Sequence, residues 1–232
     1  VYSGVPDTSW YDASKTEFTL TTADQVLGFF ALRNGNTSFK GMTVKMATDV
    51  VYNPGSTPEE VKNGTFNWWA INSNYLFEGT FDGNGKTISN MTIKNIKLDS
   101  DGYAYAGLFG ITEGESGAEN VIENLTIENV TIETNGHIVA AAIAYPYYTT
   151  VRNITVCGDM AIKGGNYTAG VLAYTRRCVN ASNITIAGDA DSVIEGKSTV
   201  GGVISDIQTN GGLTADYSNF SAEGLTIKAN NN

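Results

Sequence analysis

The sequence is poor in residues that most site chemistries need, with one histidine and two cysteines among 232 residues. His137 has no neighbouring Ser, Cys or metal-ligating side chain in the chain, which argues against a catalytic triad or a zinc site built on it. Cys157 and Cys178 occupy different positions of the repeat described below, and nothing brings their Cα atoms within the roughly 7 Å that a disulfide needs. We therefore expect free thiols, no metal and no cofactor.

Basic residues and long apolar runs are also scarce. The chain has 14 Lys and Arg against 24 Asp and Glu, which gives a formal charge of -10 and a pI near 4.5. This excess of acid argues against binding to nucleic acid or to anionic membrane surfaces, because both are polyanions. No apolar run approaches the roughly 18 residues that a membrane-spanning helix requires, so we expect no membrane insertion.

The chain is instead dominated by an internal repeat. The pattern Asn-apolar-Thr-apolar occurs at residues 90–93, 124–127, 153–156 and 183–186, and a weaker copy lies at 224–227. Runs of small and apolar residues precede the pattern within the units, at 107–110, 141–144, 170–173 and 202–205. A period of about 30 residues with two clear strands per unit predicts a solenoid. The repeated Asn predicts a ladder of side chains along one corner.

Stacking lets such units bury an apolar side that one unit could not bury alone. The 26 glycines and only 4 prolines suit many short strands closed by tight turns. We predict one all-β domain, a parallel β-helix whose coils cover residues 39–232, with a loop inserted at 52–67.

One stretch predicts a helix. Residues 22–25, TADQ, have the form of a capping box, and Val26, Leu27, Phe29 and Phe30 form an apolar face. Gly35 lies where a left-handed C-terminal residue belongs. Because an open solenoid end exposes core and backbone, we predict that residues 1–38 form a leader and a capping helix. The C-terminal end carries no such signal, so we expect the native protein to continue.

Several stretches resemble the bacterial GLUG-motif proteins. Residues 107–110, GLFG, match the Gly-Leu-hydrophobic-Gly signature, and residues 77–88, FEGTFDGNGKTI, are the most specific further similarity. The sequences TSWY at 8–11 and TTADQ at 21–25 are similar as well. The resemblance implies a right-handed parallel β-helix, secreted or at the bacterial cell surface, and often one module of a longer protein. It attaches no catalytic residues to the motif.

Tyrosines provide one candidate site. Tyr145 and Tyr174 fall in one column of the repeat, and Tyr147 and Tyr148 lie beside them. Such a stack could bind sugar rings or a partner protein, because tyrosine combines apolar area with a polar hydroxyl. Alternatively, the rings stack between coils only for stability.

Two aspartates provide another candidate. Asp159 and Asp189 follow their repeat Asn at the same offset, which predicts carboxylates about 5 Å apart on successive coils. Retaining glycosidases use carboxylates at that separation, and nearby basic residues could serve a lyase. The alternative, which we prefer, is a solvated Gly-Asp corner that recurs because the turn recurs. The basic residues are Arg152, Lys163, Arg176 and Arg177.

Together these features predict a non-catalytic, adhesin-like module, secreted or at the cell surface. We expect it to bind a glycan or a protein of a host or neighbouring cell, and to be a monomer as an isolated domain. One alternative is a polysaccharide lyase or glycosidase, which requires Asp159, Asp189 and either Arg152 or Arg176 to line one groove. The other is a purely structural spacer, which would lack an accessible aromatic patch.

Overall fold

A computed structural model describes residues 3, 5–52, 76–94, 102–209 and 213–230. These residues form one helix, α1 (Ala23–Asn34), and β-strands that make up most of the remainder. The strands are β1 (Glu17–Leu20), β2 (Thr43–Met46), β3 (Val50–Val51), β4 (Leu76–Phe77), β5 (Thr80–Lys94), β6 (Tyr105–Ala106), β7 (Phe109–Glu113), β8 (Asn120–Glu133), β9 (Ile138–Ala140), β10 (Ile143–Lys163), β11 (Tyr167–Ala169), β12 (Leu172–Gly188), β13 (Val193–Gly196), β14 (Thr199–Gly201), β15 (Ile204–Gln208), β16 (Tyr217–Glu223) and β17 (Thr226–Ala229).

These strands pair in parallel, coil upon coil. The main sheet runs β1-β2-β5-β8-β10-β12-β15, and a four-stranded sheet runs β6-β9-β11-β14. The predicted parallel β-helix is therefore confirmed. Its first pair joins β1 to β2, so the parallel sheet begins inside the segment 1–38 that we assigned to the leader and cap. Residues 53–67 of the predicted loop lie outside the described residues.

The register confirms the centre of the predicted repeat and corrects its ends. Ile154 pairs with both Leu125 and Ile184, as the pattern requires. Residues 91–93, however, pair with 130–132, and residues 226–227 pair with 193–194. The counterparts of residues 125–127 are instead 86–88 and 220–222. The end copies were misplaced because alternating apolar strands follow two different corners of each coil.

The run of small and apolar residues is confirmed in all four copies. Phe109 pairs with Ile143, Ile143 with Leu172, and Leu172 with Ile204. Space at the start of this run is limited, because a Cβ on Gly170 would lie 2.1 Å from the carbonyl oxygen of Gly202. Small residues are therefore required where neighbouring coils approach closely.

An asparagine ladder holds one corner of the coils. The Nδ2 atoms of Asn153 and Asn183 donate to the Oδ1 atom of the preceding ladder residue at 2.8 and 3.0 Å. Asn124 begins the ladder by donating to Asp82 at 2.9 Å, and Asn219 extends it to the last described coil at 3.0 Å. The four asparagines have φ angles of 54–56°, a left-handed conformation that Asn tolerates better than most residues. The repeated Asn thus fixes both the corner and the coil-to-coil register.

The predicted capping helix is present, with one correction at its end. Thr22 caps α1, and its side chain accepts a hydrogen bond from the Gln25 N–H at 3.2 Å. Gly35 has a φ of -82°, so it is not the left-handed residue that we predicted. Asn36 takes that conformation with a φ of 75°. The chain therefore turns away from the helix one residue later, at an asparagine that supports the same backbone.

Helix α1 closes the N-terminal end of the solenoid with aromatic side chains. The Phe29 ring lies 4.8 Å from that of Phe39 and 5.1 Å from that of Phe81, and the Phe30 ring lies 5.7 Å from that of Phe109. Both helix residues are fully buried, and each such burial contributes about 1.5–3 kcal/mol. No helix within the described residues is long and apolar enough to cross a membrane.

At the other described end of the solenoid, core side chains are partly exposed. Ile184 and Ile194 are fully buried, whereas Phe220 and Ile227, their partners one coil later, are 37% and 48% exposed.

Cys157 and Cys178, which lie between the two ends, are both free thiols, as predicted.

The ladder can be tested at Asn153. Asn153→Ala removes a donor and an acceptor from the ladder and leaves alanine in a left-handed corner that it adopts less readily than Asn, whereas Asn153→Gly removes the same groups but adopts this conformation without strain. We expect urea denaturation to show a loss of about 2–3 kcal/mol for Asn153→Ala and about 1 kcal/mol for Asn153→Gly. Thr155→Ala, on the same strand, is the control. If both Asn153 variants lost the same free energy of unfolding, the left-handed conformation of the corner would have no effect on stability.

A buried arginine yields a second stability prediction. Arg33, in the last turn of α1, is fully buried, and its Nε and Nη1 atoms have no hydrogen-bond partner. Burial lowers its pKa to about 9. Because an uncompensated buried charge is costly, we expect Arg33→Met to raise the free energy of unfolding by about 1–4 kcal/mol. Arg152→Met, at an exposed ion pair, should change it by less than about 1 kcal/mol. A lower melting temperature for Arg33→Met would contradict this account.

Candidate functional site

The structure brings the four predicted tyrosines together. Tyr145 and Tyr174 occupy one column, and their ring centroids lie 5.6 Å apart. The Tyr147 ring is nearly parallel to that of Tyr145, at 6.5 Å and 17°, and the Tyr148 ring meets Tyr147 edge-on at 5.0 Å. These side chains form one continuous, half-buried aromatic surface.

Two tyrosines missed in the sequence complete this surface. The Tyr105 ring lies 5.6 Å from Tyr145, and the Tyr167 ring lies 4.3 Å from Tyr174. The two residues belong to β6 and β11 of the four-stranded sheet, whose strands of two or three residues are too short to show periodicity. We refer to the six residues as the tyrosine face: Tyr105, Tyr145, Tyr147, Tyr148, Tyr167 and Tyr174.

Four rings of the tyrosine face, those of Tyr105, Tyr145, Tyr167 and Tyr174, rest on a floor of one isoleucine and four alanines. These floor residues are buried and form an apolar cluster separate from the main core. Because alanine side chains are short, they leave room for the tyrosine rings to lie against the outside of the coils. The rings are therefore supported from beneath and half-exposed above. The floor consists of Ile138, Ala140, Ala144, Ala169 and Ala173.

His137, for which we predicted no role, extends the aromatic surface. Its ring lies 4.6 Å from Tyr103 and 5.8 Å from Tyr167. Burial and the charge of Lys197 lower the pKa of His137 below its ordinary value. It therefore stays neutral at pH 7 and adds an aromatic ring rather than a charge.

Two adjacent arginines contact the tyrosine face. The Arg176 guanidinium carbon lies 3.7 Å from the centroid of the Tyr174 ring. The Nε atom of Arg177 donates a hydrogen bond to the Tyr147 hydroxyl at 3.2 Å. Within the described residues, neither arginine takes part in an ion pair with Asp or Glu. The face therefore combines aromatic rings with two positive charges that no carboxylate of the described residues pairs with directly.

The backbone at one corner of this surface is strained. Tyr148 and Arg177 follow the registered pair Tyr147 and Arg176, and their φ angles are 45° and 62°. Within the described residues, all other left-handed positions except Phe39 hold asparagine or glycine. A bulky residue in this conformation costs about 1 kcal/mol. Strain of this kind clusters at functional sites, where the side chain has a role other than folding.

Carboxylates border the tyrosine face on both sides. Glu113 pairs in register with Tyr147 from the preceding coil, and Asp206 pairs with Tyr174 from the following coil. Burial raises the pKa of Tyr145, and the nearby Arg176 charge opposes that shift. The positive charges thus lie on the last of the three coils of the tyrosine face, and the negative charges lie on the first of those coils and on the coil that follows the face.

A separate cleft of about 370 Å³ lies beyond Glu113. Its lining includes Lys40, Glu78, Glu115 and Glu119. Lys40 is held across the cleft by Glu115 at 2.5 Å and Glu78 at 3.6 Å. Since the cleft's one lysine is paired, the net charge of the cleft is negative, unlike that of the tyrosine face.

The predicted aspartate pair begins in register and then diverges. Gly158 pairs with Gly188, as predicted, so Asp159 and Asp189 follow equivalent residues. Asp159 continues along β10, and its N–H donates to Asn129 Oδ1 at 3.1 Å. Asp189 is exposed and begins a turn, because β12 ends at Gly188 and extra residues precede β13.

The basic residues considered for an enzyme are engaged elsewhere. Arg152 pairs with Glu123 at 2.5 Å, and Arg176 stacks on Tyr174. Lys163 lies 4.0 Å from Glu133. Among the described residues, no group of three or more His, Cys, Asp or Glu side chains is placed to hold a metal ion. The geometry therefore favours the tyrosine face over the aspartates as the candidate site.

The strained corner can be tested by exchanging Tyr148 for asparagine, which holds eight of the eleven described left-handed positions that are not glycine. We expect Tyr148→Asn to leave the free energy of unfolding unchanged or to raise it by up to about 1 kcal/mol, because Asn relieves the left-handed strain. Tyr147→Asn, in ordinary strand conformation, should instead lower it. Urea denaturation of both variants measures the effects. A loss above about 1 kcal/mol for Tyr148→Asn would show that its ring stabilises the fold.

Comparisons with known proteins add little about function. No protein family matches the chain, and no curated protein matches it. A crystal structure of a "putative immunoglobulin A1 protease" from Bacteroides ovatus at 1.30 Å resolution is similar with a TM-score of 0.46 and 14% sequence identity. The similarity covers 95% of this chain and 79% of that one. At this level it supports no statement about activity.

Proposed function

We propose that the protein is a non-catalytic, adhesin-like binding module that recognises a glycan through the tyrosine face. The observation that carries this proposal is the continuity of six half-buried rings across three successive coils, four of which pack on a floor of mostly small side chains. Stacking for stability alone would not require bulky residues at the left-handed corner of Tyr148 and Arg177.

The shape and chemistry of the surface suit sugar rings. Tyr145 makes interplanar angles of 17° with Tyr147 and 34° with Tyr174, and Tyr167 makes one of 35° with Tyr174. Because their centroids lie 4.3–6.5 Å apart, these rings stack on one another along the coils and form a platform of ring edges and phenol hydroxyls, which can contact the C–H groups of sugars and bond to sugar hydroxyls. A protein interface instead needs a larger apolar centre. The most exposed aliphatic side chains, Val5, Ile207 and Ile227, lie outside this surface.

We further propose a bacterial cell-surface or secreted location. This part rests on the resemblance of residues 77–88 and 107–110 to the GLUG-motif proteins. A location outside the cell would place the tyrosine face where it meets glycans of a host, a neighbouring cell or the surrounding matrix.

Glycan-array screening of the purified domain tests the binding function. We expect at least one glycan to bind, and the double variant Tyr145→Ala, Tyr174→Ala to lose at least about tenfold in affinity, which corresponds to 1.4 kcal/mol. Thr155→Ala, Thr185→Ala is the matched control, because its substitutions lie on the same two strands but outside the tyrosine face. Circular dichroism of all variants confirms that they fold.

A reducing-end assay on every polysaccharide that binds tests the non-catalytic part. Binding without new reducing ends supports a recognition module. Release of sugars that stops with Asp159→Asn or Asp189→Asn would overturn the proposal and make the protein an enzyme. A folded domain that binds no glycan would also overturn it, and would leave a protein partner or a structural spacer as the better interpretation.

A further inference from the structure

We propose that the glycan recognised at the tyrosine face is an acidic polysaccharide, and that Arg176 and Arg177 bind its carboxylates. This inference rests on the proposed function and adds the chemical class of the ligand. It is carried by the position, the pairing and the geometry of the two arginines.

Both arginines reach the same surface although they are neighbours in the chain. Successive side chains of a regular strand point to opposite faces. Here Arg177 is in the left-handed conformation, and the register shifts just beyond the equivalent Tyr147. As a result, Arg176 contacts Tyr174 and Arg177 contacts Tyr147, both of the tyrosine face. The strained corner thus has a specific effect, which is to add a second positive charge to the platform.

The state of these charges differs from that of five other basic residues in the described chain, which form ion pairs. Such pairing with carboxylates is expected in a protein with an excess of acid. Arg176 and Arg177 instead contact Tyr174 and Tyr147 of the tyrosine face, and neither forms an ion pair within the described residues. Two adjacent cations without counter-charges attract an anionic ligand. The five paired residues are Lys40, Lys45, Lys94, Arg152 and Lys163.

The geometry of Arg176 suits a carboxylate in particular. Its guanidinium lies 3.7 Å from the centroid of the Tyr174 ring, which restrains the side chain in one place. A stacked guanidinium keeps its N–H groups directed outward along the edge, where they can bind both oxygens of a carboxylate. A sugar acid could therefore pack its ring on a neighbouring tyrosine while its carboxylate binds the arginine.

The bordering carboxylates restrict where a charged ligand can lie. Glu113 and Asp206 flank the surface on the preceding and following coils, so the favourable positions for an anion are on the coil of Arg176 and Arg177. The acidic cleft beyond Glu113 repels the same ligand. The rings of Tyr145 and Tyr167 beside the arginines favour a chain of sugars over an acidic peptide. The side chains of Asp and Glu contain no ring that could pack against the tyrosines.

Three acidic polymers and their neutral forms provide the probes: alginate, polygalacturonate and hyaluronate, each with a carboxyl-reduced counterpart of the same backbone. Affinities are measured by biolayer interferometry at two salt concentrations. We expect at least one acidic polymer to bind at least tenfold more tightly than its reduced form, and its affinity to fall with added salt.

Variants then assign the effect to the arginines. Arg176→Gln, Arg177→Gln should remove the difference between the acidic and reduced polymers, because the affinity for the acidic form should fall to that for the reduced form. Arg176→Lys, which keeps the charge but not the planar stacked group, should show an intermediate loss for the acidic polymer. Arg152→Gln is the control for loss of a positive charge, since it removes one from a position outside the tyrosine face and should change neither affinity.

The outcomes separate this inference from the proposed function. Equal affinity for acidic and reduced polymers, lost in Tyr145→Ala, Tyr174→Ala, would overturn the acidic ligand and leave glycan binding intact. No binding to these polymers or to any arrayed glycan would overturn both. Competition by poly-glutamate at equal charge concentration would also overturn the inference, because charge alone would then explain binding and an acidic peptide would fit equally well.

Discussion

The ladder of asparagine side chains along one corner is the interaction on which the rest of the structure depends. Asn124, Asn153 and Asn183 must each take a left-handed backbone and each bond to the next coil, and few other residues satisfy both conditions. This double requirement fixes the register of successive parallel strands. A shift of one residue would turn every core side chain outward. The ladder thus determines which residues are buried and which are stacked on the outside.

The tyrosine face follows from that register. Tyr145 and Tyr174 stack because Ile143 pairs with Leu172, and the alanine floor lies beneath them because the same pairing stacks Ala144 on Ala173. A column of aromatic rings outside the core buries less area than core residues do. Its half-buried rings therefore contribute less to stability than fully buried rings would. They also remain accessible to a ligand, which agrees with the proposed binding role.

Sequence reasoning succeeded where a pattern is repeated and buried. The coils, the capping helix and the Tyr145 column could be predicted because alternation, capping residues and period are local signals. Tyr167 was missed because its strand, Tyr167–Ala169, is too short to carry a period. The left-handed residue after the helix was assigned to Gly35 instead of Asn36, because both residues tolerate that conformation and only the final hydrogen bonds of the helix decide between them.

The role of the two arginines could not be predicted from the sequence, for a different reason. In the sequence Arg176 and Arg177 were simply basic residues near an aspartate pair, because only the left-handed corner shows that both reach one surface. An asparagine at Arg177 would relieve about 1 kcal/mol of strain, and asparagine holds most of the described left-handed corners that are not glycine. The solenoid tolerates this cost because its stacked coils bury a long apolar core. The stability of the regular coils thus compensates for the strained corner at Tyr148 and Arg177, where charged and aromatic side chains are brought together.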